Sequence, residues 1–237
     1  MNKTFEEDLD KLRTRLIRMG SLVEEQVEFS MRALNEGNTE LARIVTERDD
    51  KIDKLDLKID KQCQRIFALN QPVASDLRLL LTAMKINNEL ERIGDRSADL
   101  AQMVINDPRT VSLGQRIGIN RITQATYVMI KSSLDSFINN DPELAHHILP
   151  TDDTVDRLYD TLHADLVREM AADPSLIEPG AKVILALHEI ERMADHATNI
   201  AENVIFLIEA KLVRHRAVTN DDTSSRNDEG QATEENG

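Results

Sequence analysis

Apolar residues recur at spacings of three and four along nearly the whole chain, which is the period of an amphipathic helix. Leu9, Leu12, Leu16, Met19, Val23, Val27 and Met31 predict a first helix over about residues 4–34. Gly37-Asn38-Thr39 ends it and supplies a cap for the next. Leu41, Val45, Ile52, Leu55, Ile59 and Ile66 carry a second helix to about Leu69. Pro72 opens a third, with Leu79, Ala83, Ile86, Leu90, Ile93 and Leu100, that stops near Asn106-Asp107-Pro108. The plan then repeats. A fourth helix is expected over about residues 112–138, a fifth from Pro142 to about Ala172, and a sixth from around Glu178 toward Leu212.

Stripes this long need partners, and two sets of three helices provide them most simply. The predicted fold is all-α: two tandem antiparallel three-helix bundles related by internal pseudo-two-fold symmetry. Residues 1–107 form the first bundle and 112–216 the second. The link between them is short, so the bundles are expected to pack together. Residues 217–237 hold six acids, one arginine and almost nothing apolar, and read as a disordered acidic tail.

One acidic signature occurs twice, one hundred residues apart. Residues 89–95 read Glu-Leu-Glu-Arg-Ile-Gly-Asp and residues 189–195 read Glu-Ile-Glu-Arg-Met-Ala-Asp. Each copy sets two carboxylates four apart on one helix face, Glu91/Asp95 and Glu191/Asp195. Like charges at that spacing repel, so a cation or a basic partner is the natural compensation. The second helix of each unit carries acids on a matching flank: Asp49, Asp53, Asp56 and Asp60, then Asp152, Asp156 and Asp160. Antiparallel packing of helices two and three would bring four or more carboxylates together in each unit. All-carboxylate ligation suits hard or borderline cations such as magnesium, manganese, iron or calcium. The plainer alternative is a solvated acidic face.

Charge and composition narrow the chemistry. The chain has a formal net charge of −14, of which the tail holds −5, leaving −9 for the body. That balance disfavours nonspecific contact with nucleic acid or anionic lipid. Cys63 is the only cysteine, so no intrachain disulfide or cysteine-rich cluster exists, and it reads as a small core residue. The first ten residues are charged, and no stretch approaches the roughly 20 apolar residues of a membrane-spanning helix. A cytoplasmic protein that does not insert into membranes is expected. Glu191 is followed at the third position by Ala194, so the second signature does not carry the Glu-x-x-His motif of di-iron bundles. No phosphate-binding glycine loop, nucleophile elbow or His-Glu-x-x-His motif occurs. No catalytic residue is assigned. Arg92 and Arg192, beside the signature acids, read as ion-pair or surface residues, with partner binding as the alternative.

Together the residues carry a resemblance. Asp50-Lys-Ile-Asp53, Gln71-Pro-Val-Ala-Ser-Asp76-Leu-Arg78 and the two Glu-Arg-x-x-Asp signatures, in that order, resemble the PhoU family over about residues 5–213. The resemblance implies a non-enzymatic negative regulator of the phosphate-starvation response. It would couple a phosphate ABC transporter, through its ATPase subunit, to a sensor histidine kinase, and would form a homodimer. It also implies carboxylate metal clusters, with iron, manganese, magnesium or zinc as the ion. The matching positions are Asp49 and Asp53 with Glu91 and Asp95, then Asp152 and Asp156 with Glu191 and Asp195. Where the second copy has His196 and Asn199, the first has Arg96 and Asp99. Arg96 would partly neutralise the first set, or Asp99 would join it; Asp160 is a further candidate in the second. Two other classes stay open on the residues alone: a metal-dependent hydrolase or metal-storage protein, and a metal-free acidic scaffold for a basic partner.

Overall fold

A computed structural model of the chain describes residues 3–214. The segment 217–237, expected to be a disordered tail, lies outside the described residues. Among the described residues eight α-helices follow in order: α1 (Lys3–Glu36), α2 (Thr39–Asn70), α3 (Ala74–Asn106), α4 (Pro108–Ile117), α5 (Asn120–Asn139), α6 (Pro142–Ile148), α7 (Asp152–Ala172) and α8 (Ile177–Glu209). The first half is three unbroken helices of more than thirty residues each. Gly37, at φ 70°, closes α1, and the Asn38 side chain accepts from the backbone N–H groups of Glu40 and Leu41, capping α2.

The second half follows the same path with two interruptions that the periodicity did not reveal. The expected fourth helix starts four residues early, at Pro108, because Asp107 caps it through the N–H groups of Arg109 and Thr110. It then stops at Gly118, whose φ of 83° is open to glycine at little cost. The expected fifth helix divides into α6 and α7 around a 3₁₀ turn, Leu149–Thr151, where Pro150 has no N–H to continue the α-helical ladder. Apolar spacing carries straight through both breaks, so the hydrophobic stripe alone reads as continuous. The sixth helix ends at Glu209, with Ala210 in the left-handed region at φ 58°.

The repeat is visible residue by residue. Asn38 and Asp141 both cap, and Ile52, Ile59 and Cys63 in α2 match Val155, Leu162 and Leu166 in α7, all fully buried. Burial pushes the Cys63 thiol up to about 12, in keeping with an inert core residue. Helices α3 and α8 repeat at an offset of one hundred and run antiparallel through the centre. Arg78 Nε donates to the Leu207 carbonyl at one end of that seam (2.9 Å), and Lys182 meets Asp107 at the other (2.7 Å). The Lys182 ammonium and two backbone N–H groups hold the Asp107 carboxyl down at about 2.

Packing between the acidic helices is tight enough to fix side-chain size. A methyl group on Gly94 would stand 3.1 Å from Ile52 Cδ1 and 3.3 Å from its Cγ2. In the second half the equivalent pair is Ala194 and Val155, so one carbon has moved from α2's counterpart to α3's. Gly94→Ala alone is expected to cost about 1 kcal/mol, the crowding outweighing the gain in helix propensity. Adding Ile52→Val should recover most of it. Urea denaturation of the two single variants and the double would show favourable coupling; strictly additive costs would contradict the size match.

Candidate metal centre

Antiparallel packing of α2 on α3 brings the two acidic flanks of the first half face to face. One oxygen each from Asp49, Asp53 and Asp95 lie within 4.8 Å of one another, with Asp49 half-buried and the other two exposed. Oxygen–cation bonds of about 2.0–2.6 Å permit separations of that size across a single ion. Among the described residues no other His, Cys, Asp or Glu triad meets so closely. Glu91 stands one turn before Asp95 and is half-buried. Asp99 is exposed, but its charge reaches both Asp49 and Asp95.

This arrangement is electrostatically uneasy without a cation. Desolvation is the leading cause that raises the carboxyls of Asp49, Asp56, Glu91, Asp95 and Asp99 above their ordinary range. Neighbouring carboxylates add to it: Asp53 and Asp99 on Asp49, Asp95 and Asp56 on Glu91, Asp49 and Asp53 on Asp95. A bound divalent ion would supply the missing positive charge and tie α2 to α3. The donor set, all carboxylate oxygen with no sulfur or ring nitrogen, fits a hard or borderline cation.

Two polar residues beneath the site were not singled out from sequence. Gln26, 1% exposed in the core stripe of α1, donates to Asp49 Oδ1 (3.0 Å) and to the Gly94 carbonyl (3.2 Å). It thereby orients the Asp49 carboxylate and registers it against α3. Asn87, equally buried, donates to Asp56 Oδ1 (2.6 Å) and Asp60 Oδ1 (3.3 Å). A glutamine between Val23 and Val27 is the one signal that marked such a role beforehand.

The second half is a variant of this site. Around Glu191 stand Asp195, Asp156 and Asp152, in order of their effect on it, all acting behind desolvation to raise its carboxyl from 4.5 to about 7; Arg192 works against the rise. Its Oε2 is buried, makes no hydrogen bond among the described residues, and lies 3.6 Å from His188 Nδ1. Asp152 is buried and Asp156 half-buried. Met129 stands where the first half has Gln26, and a stacked Tyr159–His163 pair, centroids 5.9 Å apart, stands where it has Asp56 and Asp60. Asp160 is exposed on the outer side of α7, its charge felt by Tyr159. Arg92 is exposed and donates to Asn88 Oδ1; Arg192 donates to Asp195 Oδ2 at 3.3 Å.

Arg96 makes its ion pair away from the first set of acids, although its charge holds down the rise of Asp99. It turns to the seam, where Nη1 donates to Glu189 Oε2 (2.5 Å) and Nε to His196 Nε2 (3.2 Å). The reciprocal contact is His196 Nδ1 with Glu89 Oε2 (2.7 Å), joined by Asn199 Nδ2 at 3.2 Å. Each glutamate that opens a signature thus crosses to the other half, while the acids two and six residues later face its own half.

A match to the PhoU domain model covers residues 16–104 and again 119–204, one copy for each half. The chain belongs to the PhoU family. The phosphate-specific transport system accessory protein PhoU homolog of Pseudomonas aeruginosa is 37% identical over 98% of this chain and 96% of its own length. The homolog of Aquifex aeolicus is also 37% identical, over 91% of this chain and 97% of its own. The crystal structure of PhoU from Pseudomonas aeruginosa superposes with a TM-score of 0.81 at 38% identity, over 87% of this chain and all of that one. The phosphate transport system regulatory protein PhoU from Streptococcus pneumoniae gives 0.79 at 26% identity, over 89% and 99%. PhoU proteins regulate rather than catalyse, which removes the hydrolase reading. No described helix is long and apolar enough to cross a membrane.

The raised Glu191 makes the second site pH-dependent in a definite direction. Its folded value exceeds its ordinary one, so the stability contributed by the protonated acid is complete below 4.5 and is lost as pH climbs through 7. After allowance for solvent screening, that loss amounts to about 1–2 kcal/mol in metal-free protein. A metal held there would have to displace this proton, and its affinity would then fall about tenfold per pH unit below 7. Calorimetric titration with manganese at several pH values would read it; a pH-independent affinity would place Glu191 outside the coordination sphere.

Proposed function

We propose that this PhoU-family chain is a cytoplasmic, metal-braced negative regulator of the phosphate-starvation response. It would link the ATPase subunit of a phosphate ABC transporter to a sensor histidine kinase and modulate phosphate uptake. Two units, 1–107 and 112–216, each present one carboxylate set: Asp49, Asp53, Glu91 and Asp95, then Asp152, Asp156, Glu191 and Asp195. Iron, manganese, magnesium or zinc held there would fix the angle between the two acidic helices of each unit, and with it the shape offered to partners. The reading includes a homodimer and no nucleic-acid role. A direct phosphate site finds no support in a body of net charge −9.

The observation that carries the metal half of this reading is the meeting of Asp49, Asp53 and Asp95 across α2 and α3. Deleting the gene and measuring phosphate-starvation transcripts in phosphate-rich medium tests the regulatory half. Constitutive expression, reversed by the native gene, is expected; unchanged repression would refute it. A second reading, a metal-free acidic scaffold for a basic partner, draws support from the exposure of Asp53 and Asp95. Partner affinity that ignores chelation but falls steeply with salt would favour that scaffold.

A further inference from the structure

A cavity of about 200 Å³ opens where the two halves meet at the end of the seam remote from Asp107. Its walls come from four helices: α1, Leu79 and Ala83 of α3, Phe137 of α5, and Leu207 of α8. The lining is chiefly apolar, yet it includes Thr82, which is fully buried and whose hydroxyl finds no hydrogen bond among the described residues. An unsatisfied buried hydroxyl is costly, and a ligand that donates to it would recover that cost. Glu6 and Asp10, one helical turn apart on α1, edge the cavity together with Arg13. Both acids are exposed and neither forms an ion pair among the described residues.

Size decides the class of occupant. Small-molecule sites run to roughly 300–1,000 Å³, which is larger than this cavity. One large side chain fills it, as buried aromatic anchors do at protein interfaces. Charge decides the company that side chain keeps. Two uncompensated carboxylates at the mouth of a strongly acidic chain call for a neighbouring lysine or arginine. Arg13, whose Nη2 donates to the Ile138 carbonyl at 3.4 Å, has further N–H groups for a partner's backbone carbonyl.

We infer that this cavity is a socket for a protein partner, taking one tryptophan-sized side chain beside a basic residue. The indole N–H would donate to Thr82 Oγ1, and the cation would sit between Glu6 and Asp10. Because the walls belong to both halves, an occupied socket would hold the halves in one relative position. The socket rests on the adaptor reading only in supposing a protein partner; the transcript and metal experiments stand or fall separately.

The chain has no tryptophan, so a tryptophan in a probe reports its own burial. The probe is a short alanine–lysine helical peptide with a single tryptophan, alongside the same peptide with phenylalanine or alanine at that position. Saturable blue-shifted emission is expected with the native chain. Ala83→Leu, which fills the cavity, should weaken binding at least about tenfold, as should Glu6→Lys with Asp10→Lys. Glu7→Lys, exposed and outside the lining, should leave it within about twofold. Thr82→Val, which preserves shape, should weaken the tryptophan peptide and spare the phenylalanine one. Unshifted emission, equal binding of the alanine peptide, or full binding by a folded Ala83→Leu or Thr82→Val variant would each overturn the socket.

Discussion

Saturating manganese or iron is expected to raise the melting temperature of the native chain by roughly 5–10 °C. Metal at a hundred times its dissociation constant contributes about 2.7 kcal/mol, and a chain of this size gains about 2–4 °C per kcal/mol. In the variant combining Glu91→Gln, Asp95→Asn, Glu191→Gln and Asp195→Asn, metal should add almost nothing. Without metal the order reverses. The amide variant loses two like-charged pairs and the desolvation that raises the carboxyls of Glu91, Asp95 and Glu191, and should be more stable than the native chain by about 1 kcal/mol. This crossing separates the metal centre from a solvated acidic face, for which amide substitution is nearly neutral in either condition. Thermal scans of both proteins with metal and with chelator read all four values. Equal metal-induced shifts in the two proteins would remove the ligand assignment.

Arg96→Met is expected to destabilise the chain by about 2–3 kcal/mol, although Arg96 touches none of the assigned ligands. Its partner Glu189 is only 21% exposed and would lose its cation. The charge of Glu189 already helps raise the Asp99 carboxyl, second only to desolvation, while Arg96 opposes the rise. Stranding a partly buried carboxylate costs less than the 3–5 kcal/mol of a fully buried one, but much more than losing an exposed pair. Glu189→Gln placed in the Arg96→Met background should restore most of the loss, and a double-mutant cycle would report the coupling. Arg92→Met, four residues earlier and exposed, should stay within about 0.5 kcal/mol. If the two arginine variants melt alike, the seam contributes nothing to stability.

Helix order, the two-fold repeat and the convergence of Asp49 and Asp53 with Asp95 are legible in the sequence, because they follow from period and spacing. What escaped was local or relational. Gly118 and Pro150 each break a helix without breaking its apolar stripe, so only backbone chemistry could mark them. Arg96 lies next to Asp95 in sequence but points about one residue's turn around the helix, toward α8. Periodicity places it on that flank but says nothing about which helix waits there. Glu89 and Glu189 were in plain view as the first letters of the repeated signature; their crossed pairing depends on how the halves dock, which no pattern within one half encodes. Register between the halves also decides which acids correspond. Aligned on the fold, Asp60 matches His163, not Asp160.

Tethering two copies in one polypeptide frees them from being identical. In an assembly of equal subunits every substitution appears on both sides of the axis. Here Gln26 corresponds to Met129, Asp99 to Asn199, and Asp56 with Asp60 to Tyr159 with His163. A cation held by both sets would therefore meet two different environments in one molecule, and the two would load at different concentrations.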